Sequence, residues 1–237
     1  MSAGEHSAHM KQGGADEAKR AAGVAAADAV PDGSVVGLGT GSTAAHAIRA
    51  LGEAVAEGLD VRGIPTSFQA RQLAREAGVP LTTLEDATPD VAIDGADQVA
   101  DDGAALVKGG GAAHAREKVV DAAAGEFLVV ADESKLADAL DVAVPVEVLP
   151  DAHPTVAATV RERGGEPTLR AAQRKDGPVV TDNGNLVVDC DFGTIDDPAG
   201  LAAALSAVPG VVEHGLFVDL ADAVYVGTAA GASVRRP

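Results

Sequence analysis

Apolar and polar positions divide the first half of the chain into short apolar runs, each followed by a longer stretch with helical spacing. Residues 15–30 form an alanine-rich amphipathic pattern, with Asp16 and Glu17 suited to a first helical turn, where carboxylates meet the positive end of the helix dipole. Pro31-Asp32-Gly33 reads as a turn and residues 34–38 as a short strand. A helix over about 44–57, a strand over 61–64 and a helix running to Ala77 follow, the last capped by Thr66 or Ser67 and ended by Gly78. Strands are predicted at 91–94, 105–108 and 126–131, with a helix over about 112–124. Near-continuous apolar strands alternating with helices predict an α/β fold: a parallel sheet with helices on both faces.

The pattern changes near Val142. Residues 144–149 read as a strand, about 154–164 as a helix, and 167–171 and 178–181 as strand-like stretches; a strand over 185–192 and a helix over about 198–207 complete the run. This spacing predicts a small α+β domain. Asp182-Asn183-Gly184-Asn185 carries an Asn-Gly hairpin signal between two apolar runs. Residues 223–226 are again a buried-type strand, placed to return to the first domain.

Composition narrows the function. The 237 residues allow one large domain, or one of medium size with a small companion. Aromatic residues are only 2% of the chain, with no Trp and the single Tyr225, so the core must be Ala, Val, Leu and Ile. A formal net charge of -18 argues against nucleic acid and anionic membranes as partners. High acid content with only six Lys also predicts adaptation to molar salt, where the Debye length falls to roughly 3 Å. A single Cys190 excludes an internal disulfide and a cysteine metal cluster. There is no secretory pattern and no apolar run near 18 residues, so the expected location is cytoplasmic. The opening segment MSAGEHSAHMKQGG lacks periodicity and reads as a disordered extension or partly a cloning remnant, with Met10 a possible alternative start.

Four polar clusters interrupt this apolar chain at strand ends. The segment GLGTGST at 37–43 offers helix-start N–H groups and the hydroxyls of Ser42 and Thr43 to an anion. It lacks the lysine of a Walker loop and the acidic partner of a dinucleotide fingerprint, and a ligand-free turn and cap is the alternative. Asp94-Gly95-Ala96-Asp97 places two carboxylates where open α/β sheets bind ligands, although Asp and Gly also simply make turns. Lys108-Gly109-Gly110-Gly111 puts a rare lysine before three glycines, whose entropy cost is offset where backbone must approach a ligand. Glu117 follows nine residues after Lys108, and by itself reads as a surface helix residue. Lys135 ends the fourth cluster, Asp132-Glu-Ser-Lys135. The six histidines show no metal-ligand spacing; His114 is expected to pack or cap, and Cys190 to face a core. All four clusters are expected on one side of one sheet, an inventory suited to proton transfer beside the carbonyl of a small phosphorylated substrate.

These motifs, in this order, resemble the ribose-5-phosphate isomerase A family. The matching stretches are GLGTGSTA at 37–44, AIDGADQV at 92–99, LVKGGGAAHAREKVV at 106–120, VADESK at 130–135, PVEVLP at 145–150, TDNGNLVVD at 181–189 and PGVVEHGLF at 209–217. The resemblance implies interconversion of D-ribose 5-phosphate and D-ribulose 5-phosphate. It implies a Rossmann-like catalytic domain of residues 1–142 and 214–237 with a ferredoxin-like α+β domain, 143–213, inserted. It also implies a homodimer or homotetramer, and no metal or cofactor. By the same resemblance Glu117 is the base acting through an enediolate, and Thr40, Gly41, Ser42 and Thr43 form the substrate and phosphate loop. Asp94 and Asp97 assist ring opening and hydroxyl proton movement. Lys108 and Lys135 lie near the developing oxyanion, the backbone at Gly95, Ala96 and Gly109–Gly111 lines the substrate, and Lys19 reaches the phosphate. The loop between Asp97 and Lys108 is one residue longer than the family pattern. The rival readings are a sugar-phosphate sensor, which would carry a basic DNA-binding segment, and deamination or acyl-CoA transfer on the same fold.

Overall fold

A computed structural model describes residues 16–101 and 103–237; the expectations for the first dozen residues lie outside them. The chain starts with α1 (Asp16–Asp28), β1 (Val35–Leu38), α2 (Ser42–Ala56), β2 (Arg62–Pro65), α3 (Phe68–Ala77) and β3 (Val91–Gly95). Then come β4 (Gln98–Ala100), β5 (Ala105–Val107), α4 (His114–Ala123), β6 (Glu126–Asp132) and β7 (Leu136–Ala137). The second half holds β8 (Val144–Val148), α5 (His153–Glu162), β9 (Glu166–Leu169), β10 (Leu186–Asp191), α6 (Pro198–Ser206) and β11 (Val211–His214), followed by β12 (Leu216–Val218), β13 (Ala223–Thr228) and β14 (Gly231–Arg235).

The main sheet has the order β14-β13-β6-β3-β1-β2. Its pairings are parallel except for the edge strand β14. One face is covered by α1, α2 and α3, whose Ala22, Ala26, Ile48, Leu51, Ala70 and Ala74 pack on Leu38, Ile93, Leu128 and Val130. Only part of the other face is helical, where Val120 of α4 packs on Val35 and Ile64. The rest is covered by a second sheet, β12-β5-β4-β7, through Val99, Leu106 and Phe217. Helices therefore lie on both faces, but on the second face the small sheet takes the rest of the area, and residues 105–108 lie outside the parallel sheet.

The antiparallel sheet, order β11-β8-β10-β9, with α5 and α6 gives the strand-helix-strand-strand-helix-strand unit that the spacing predicts. Cys190 is buried in its core beside Val144 and Val188. Residues 178–181 form isolated bridges in place of a strand, and the Asn-Gly turn closes where Gly184 donates to the Thr181 carbonyl. β5 lies between two cores. Alternation along it sends Ala105 and Val107 toward the antiparallel unit and Leu106 toward the main sheet. Lys108, two residues beyond Leu106, therefore also faces the main sheet.

Candidate active site

The loops after β1, β2 and β3 meet over the C-terminal edge of the main sheet and are tied to one another. Ser67 caps α3 by accepting from Ala70 N, and its hydroxyl also accepts from Thr40 Oγ1 at 2.7 Å. Thr40 N donates to Asp94 Oδ1 at 2.9 Å. Gly41 holds the positive φ of 108° that turns the chain into α2, a conformation costly for any residue with a Cβ. Among the described residues no side chain caps α2, and its first-turn N–H groups face outward at the positive end of the helix dipole.

A cavity of about 150 Å³ opens at this helix start. Thr40, Gly41, Ser42 and Thr43 line one side; Gly95, Ala96 and Asp97, Gly109 to Gly111, and Glu117 line the others. Lys19 from α1 and Lys135 from the turn after β6 complete it. Neither lysine has an ion-pair partner among the described residues. Gln69 of α3 also lines the cavity, a position with no sequence signal beyond its closeness to the Ser67 cap.

Two expected residues lie beneath the cavity wall. Asp94 and Lys108 are fully buried, at 0% and 1% exposure. Lys108 Nζ donates to the Gly95 carbonyl at 2.5 Å and stands 2.9 Å from Asp94 Oδ2, 3.3 Å from Glu117 Oε2 and 4.0 Å from Asp121 Oδ2. Three buried carboxyls thus share one ammonium. Burial alone would lower the Lys108 pKa, but Asp94, Glu117 and Asp121 together hold it above the ordinary lysine value. Burial pushes Glu117 up to about 8, reinforced by Asp94 and opposed by Lys108. Asp121, four residues on and so on the same helical face, is also pushed well above its usual range by burial, and neither of its oxygens accepts a hydrogen bond among the described residues. Burial raises Asp94 as well, but it accepts N–H bonds from Thr40 and Gly95 and makes the shortest carboxylate contact to the ammonium, each of which favours its charged form, so it is the member best placed to carry charge. Asp121 is the one best placed to hold a proton.

The Lys108–Gly111 cluster reaches this site from the second sheet, which corrects the expectation that all four clusters follow strands of one sheet. The small sheet holds the loop by its start, since Asp97 N donates to the Val107 carbonyl. Asp97 Oδ2 then accepts Gly110 N at 2.6 Å. His114 is buried against Gly109, and burial, with Arg170 and Lys118 nearby, drives its pKa down to about 3, so it packs as a neutral ring. Among the described residues no group of three or more His, Cys, Asp or Glu is arranged to hold a metal ion. None of their helices is long and apolar enough to cross a membrane.

Comparison with known proteins agrees with this geometry. The sequence model for ribose 5-phosphate isomerase A (phosphoriboisomerase A) matches residues 62–231. A ribose-5-phosphate isomerase A from Natronomonas pharaonis is 72% identical over 227 residues, covering 95% of this chain and 100% of the relative. One from Haloarcula marismortui is 67% identical, covering 95% and 98%. The solved structure of ribose 5-phosphate isomerase A from Methanocaldococcus jannaschii superposes with a TM-score of 0.90 at 46% identity, over 94% of this chain and 99% of that one. A D-ribose-5-phosphate isomerase solved in complex with phospho-erythronic acid gives a TM-score of 0.91 at 42% identity, covering 94% and 100%.

Proposed function

The chain belongs to the ribose 5-phosphate isomerase A family, and from that premise we propose that its cavity interconverts D-ribose 5-phosphate and D-ribulose 5-phosphate, with Glu117 as the base. One observation carries the assignment of roles: a carboxyl buried to 4% exposure and held near pKa 8 opens onto the same cavity as a helix start and two lysines, Lys19 and Lys135. A general base works best when its pKa lies near the operating pH.

In this reading the phosphate sits on the N–H groups of Ser42, Thr43 and Ala44, with Lys19 beside it, and its binding energy positions the carbon chain. Glu117 takes the proton from C2. The C–H electron pair becomes the C1=C2 bond of the enediolate, and the carbonyl electrons move onto O1. Glu117 then returns the proton to C1 while the O2 hydrogen passes to O1, which leaves O1 a hydroxyl and O2 the new carbonyl. Asp97, at the cavity surface, is placed to move hydroxyl protons and assist ring opening, with Asp94 beneath it. Lys135 and backbone N–H groups face the developing charge. The buried Lys108 acts on Glu117 and Asp94 from below, keeping Glu117 ionisable in a site that would otherwise hold it neutral.

The division into residues 1–142 with 214–237 and an inserted domain of 143–213 is part of the proposal, supported by the antiparallel sheet within 144–214. So are a homodimer or homotetramer and a cytoplasmic site of action.

The test is ribulose 5-phosphate formation from ribose 5-phosphate in molar KCl. Glu117→Gln is expected to lose on the order of 10²-fold or more in kcat while the wild type turns over. Equal turnover by both proteins would remove Glu117 as base, and a folded but inactive wild type would remove the isomerase reading.

A further inference from the structure

The glycine loop of the cavity is held from behind by a side chain of the antiparallel sheet. Arg170, directly after β9, donates through Nη1 to the Gly109 carbonyl at 2.8 Å and to the Gly110 carbonyl at 3.2 Å. Its other guanidinium nitrogens are anchored on the Asp189 carboxylate of β10, Nε to Oδ2 at 2.9 Å and Nη2 to Oδ1. The fork is bidentate and its side chain is 12% exposed, so the arginine is fixed at its own end before it reaches the loop.

Peptide planarity turns this contact into a statement about the cavity. In a trans peptide the C=O and N–H point in opposite directions, and no peptide bond among the described residues is cis. With the Gly109 carbonyl on Arg170, the Gly110 N–H must point away from it, and it does, onto Asp97 at 2.6 Å. With the Gly110 carbonyl on Arg170, the Gly111 N–H must point away in turn. Gly111 lines the cavity opposite Thr40, and among the described residues its N–H has no acceptor.

The Gly109 carbonyl also accepts from Ala112 N within the turn, whereas the Gly110 carbonyl has only Arg170 among the described residues. We propose that Arg170, anchored by Asp189, is a positioning residue that keeps the Gly110 carbonyl out of the cavity and aims the Gly111 N–H at the enediolate oxyanion. The proposal rests on the isomerase reading above. A carbonyl turned inward would place negative potential where charge develops, and a donor fixed beforehand needs no reorganisation during the reaction. No sequence pattern marks Arg170, because its role depends on the meeting of two sheets.

The experiment compares wild type, Arg170→Gln, Arg170→Lys and Asp189→Asn in molar KCl. In Arg170→Gln, kcat is expected to fall by about 10- to 100-fold with KM nearly unchanged, less than the complete removal of an oxyanion donor. Lysine, a point charge without the fork, should restore part of the loss, and Asp189→Asn should fall between the two. Binding supplies the readout that a merely structural role would not move. Affinity for phospho-erythronic acid, which has a planar anionic carboxylate, should fall in step with kcat. Affinity for ribitol 5-phosphate, which has the phosphate and no planar anionic carbon, should hold. Unchanged kcat, or equal loss of both affinities, overturns the proposal. If Arg170→Gln does not fold, the lysine and asparagine variants decide it by the same two affinities. An inactive wild type would overturn the isomerase reading along with this one, whereas an active wild type with an indifferent Arg170 overturns this one alone.

Discussion

Glu117 and Asp121 sit one helical turn apart, and the difference between them decides how the site titrates. Glu117 opens onto the cavity and lies 3.3 Å from the Lys108 ammonium; Asp121 lies deeper, with no hydrogen-bond donor among the described residues. The base must be ionised to act, so kcat/KM should rise about tenfold per pH unit through the neutral range and level off above the Glu117 pKa of about 8. Asp121→Asn exchanges a neutral carboxyl for a neutral amide and should leave this limb in place. A downward shift of the limb, measured from kcat/KM across pH, would show that Asp121 is charged at rest. Stability runs in the opposite direction. A carboxyl whose folded pKa lies above its ordinary 4.5 binds its proton more tightly in the folded chain, so its contribution falls as pH rises from about 4.5 to 8. Glu117, Asp94, Asp97 and Lys108 were legible in the sequence because their spacing is distinctive. Asp121 was not, although its i,i+4 relation to Glu117 was visible, because an acid in a helix of an acidic protein reads as surface until packing shows otherwise.

At the scale of elements, what the sequence revealed depended on length. Strands of four or more residues such as β1, β3, β6 and β8 stood out, while Gln98–Ala100, Leu136–Ala137 and Leu216–Val218 are too short to show an alternation. The sheet they build with β5 was therefore invisible, and with it the route by which Lys108 reaches Asp94. β14 is exposed along its whole length, so no hydrophobic pattern could mark it. The contact of α1 with α2 was equally silent, yet it bears on the cavity. A Cβ at Gly23 would lie 2.8 Å from Ala47 N, 2.9 Å from Thr43 O and 2.9 Å from His46 Cβ, so the two helices touch there backbone to backbone. Gly23→Ala should cost about 1–3 kcal/mol, since backbone atoms cannot rotate aside as a side chain can. It should also push apart Lys19, one turn upstream on α1, and the Thr43 start of α2, both of which line the cavity. The expected kinetic result is a rise in KM larger than any fall in kcat, because phosphate contacts are lost while Glu117 on α4 stays in place. A fall in kcat at constant KM would mean that this helix pair governs the chemistry instead of the anchor.

For the molecule as a whole, the net charge of -18 sets the conditions under which all of this holds. The relatives from Natronomonas pharaonis and Haloarcula marismortui, both halophilic archaea, fit a surface meant for concentrated salt. Like charges on a folded surface repel over a Debye length of about 10 Å at 0.1 M ionic strength, and over roughly 3 Å at 1 M. Unfolding spreads those charges, so low salt favours the unfolded chain, and the melting temperature should climb between 0.1 and 2 M KCl, a range chosen to bracket that screening change. The buried cluster is screened much less, because Lys108, Asp94, Glu117 and Asp121 are each at most 4% exposed. Two measurements on one protein should therefore part company. Melting temperature should move with salt, while the pH limb of kcat/KM near 8 should stay fixed wherever the protein is folded. A limb that drifted with KCl in parallel with the melting curve would place Glu117 within reach of bulk ions and undo the account of its raised pKa by burial. A fixed limb beside a moving melting curve would separate the chemistry of the cavity from the charge of the surface.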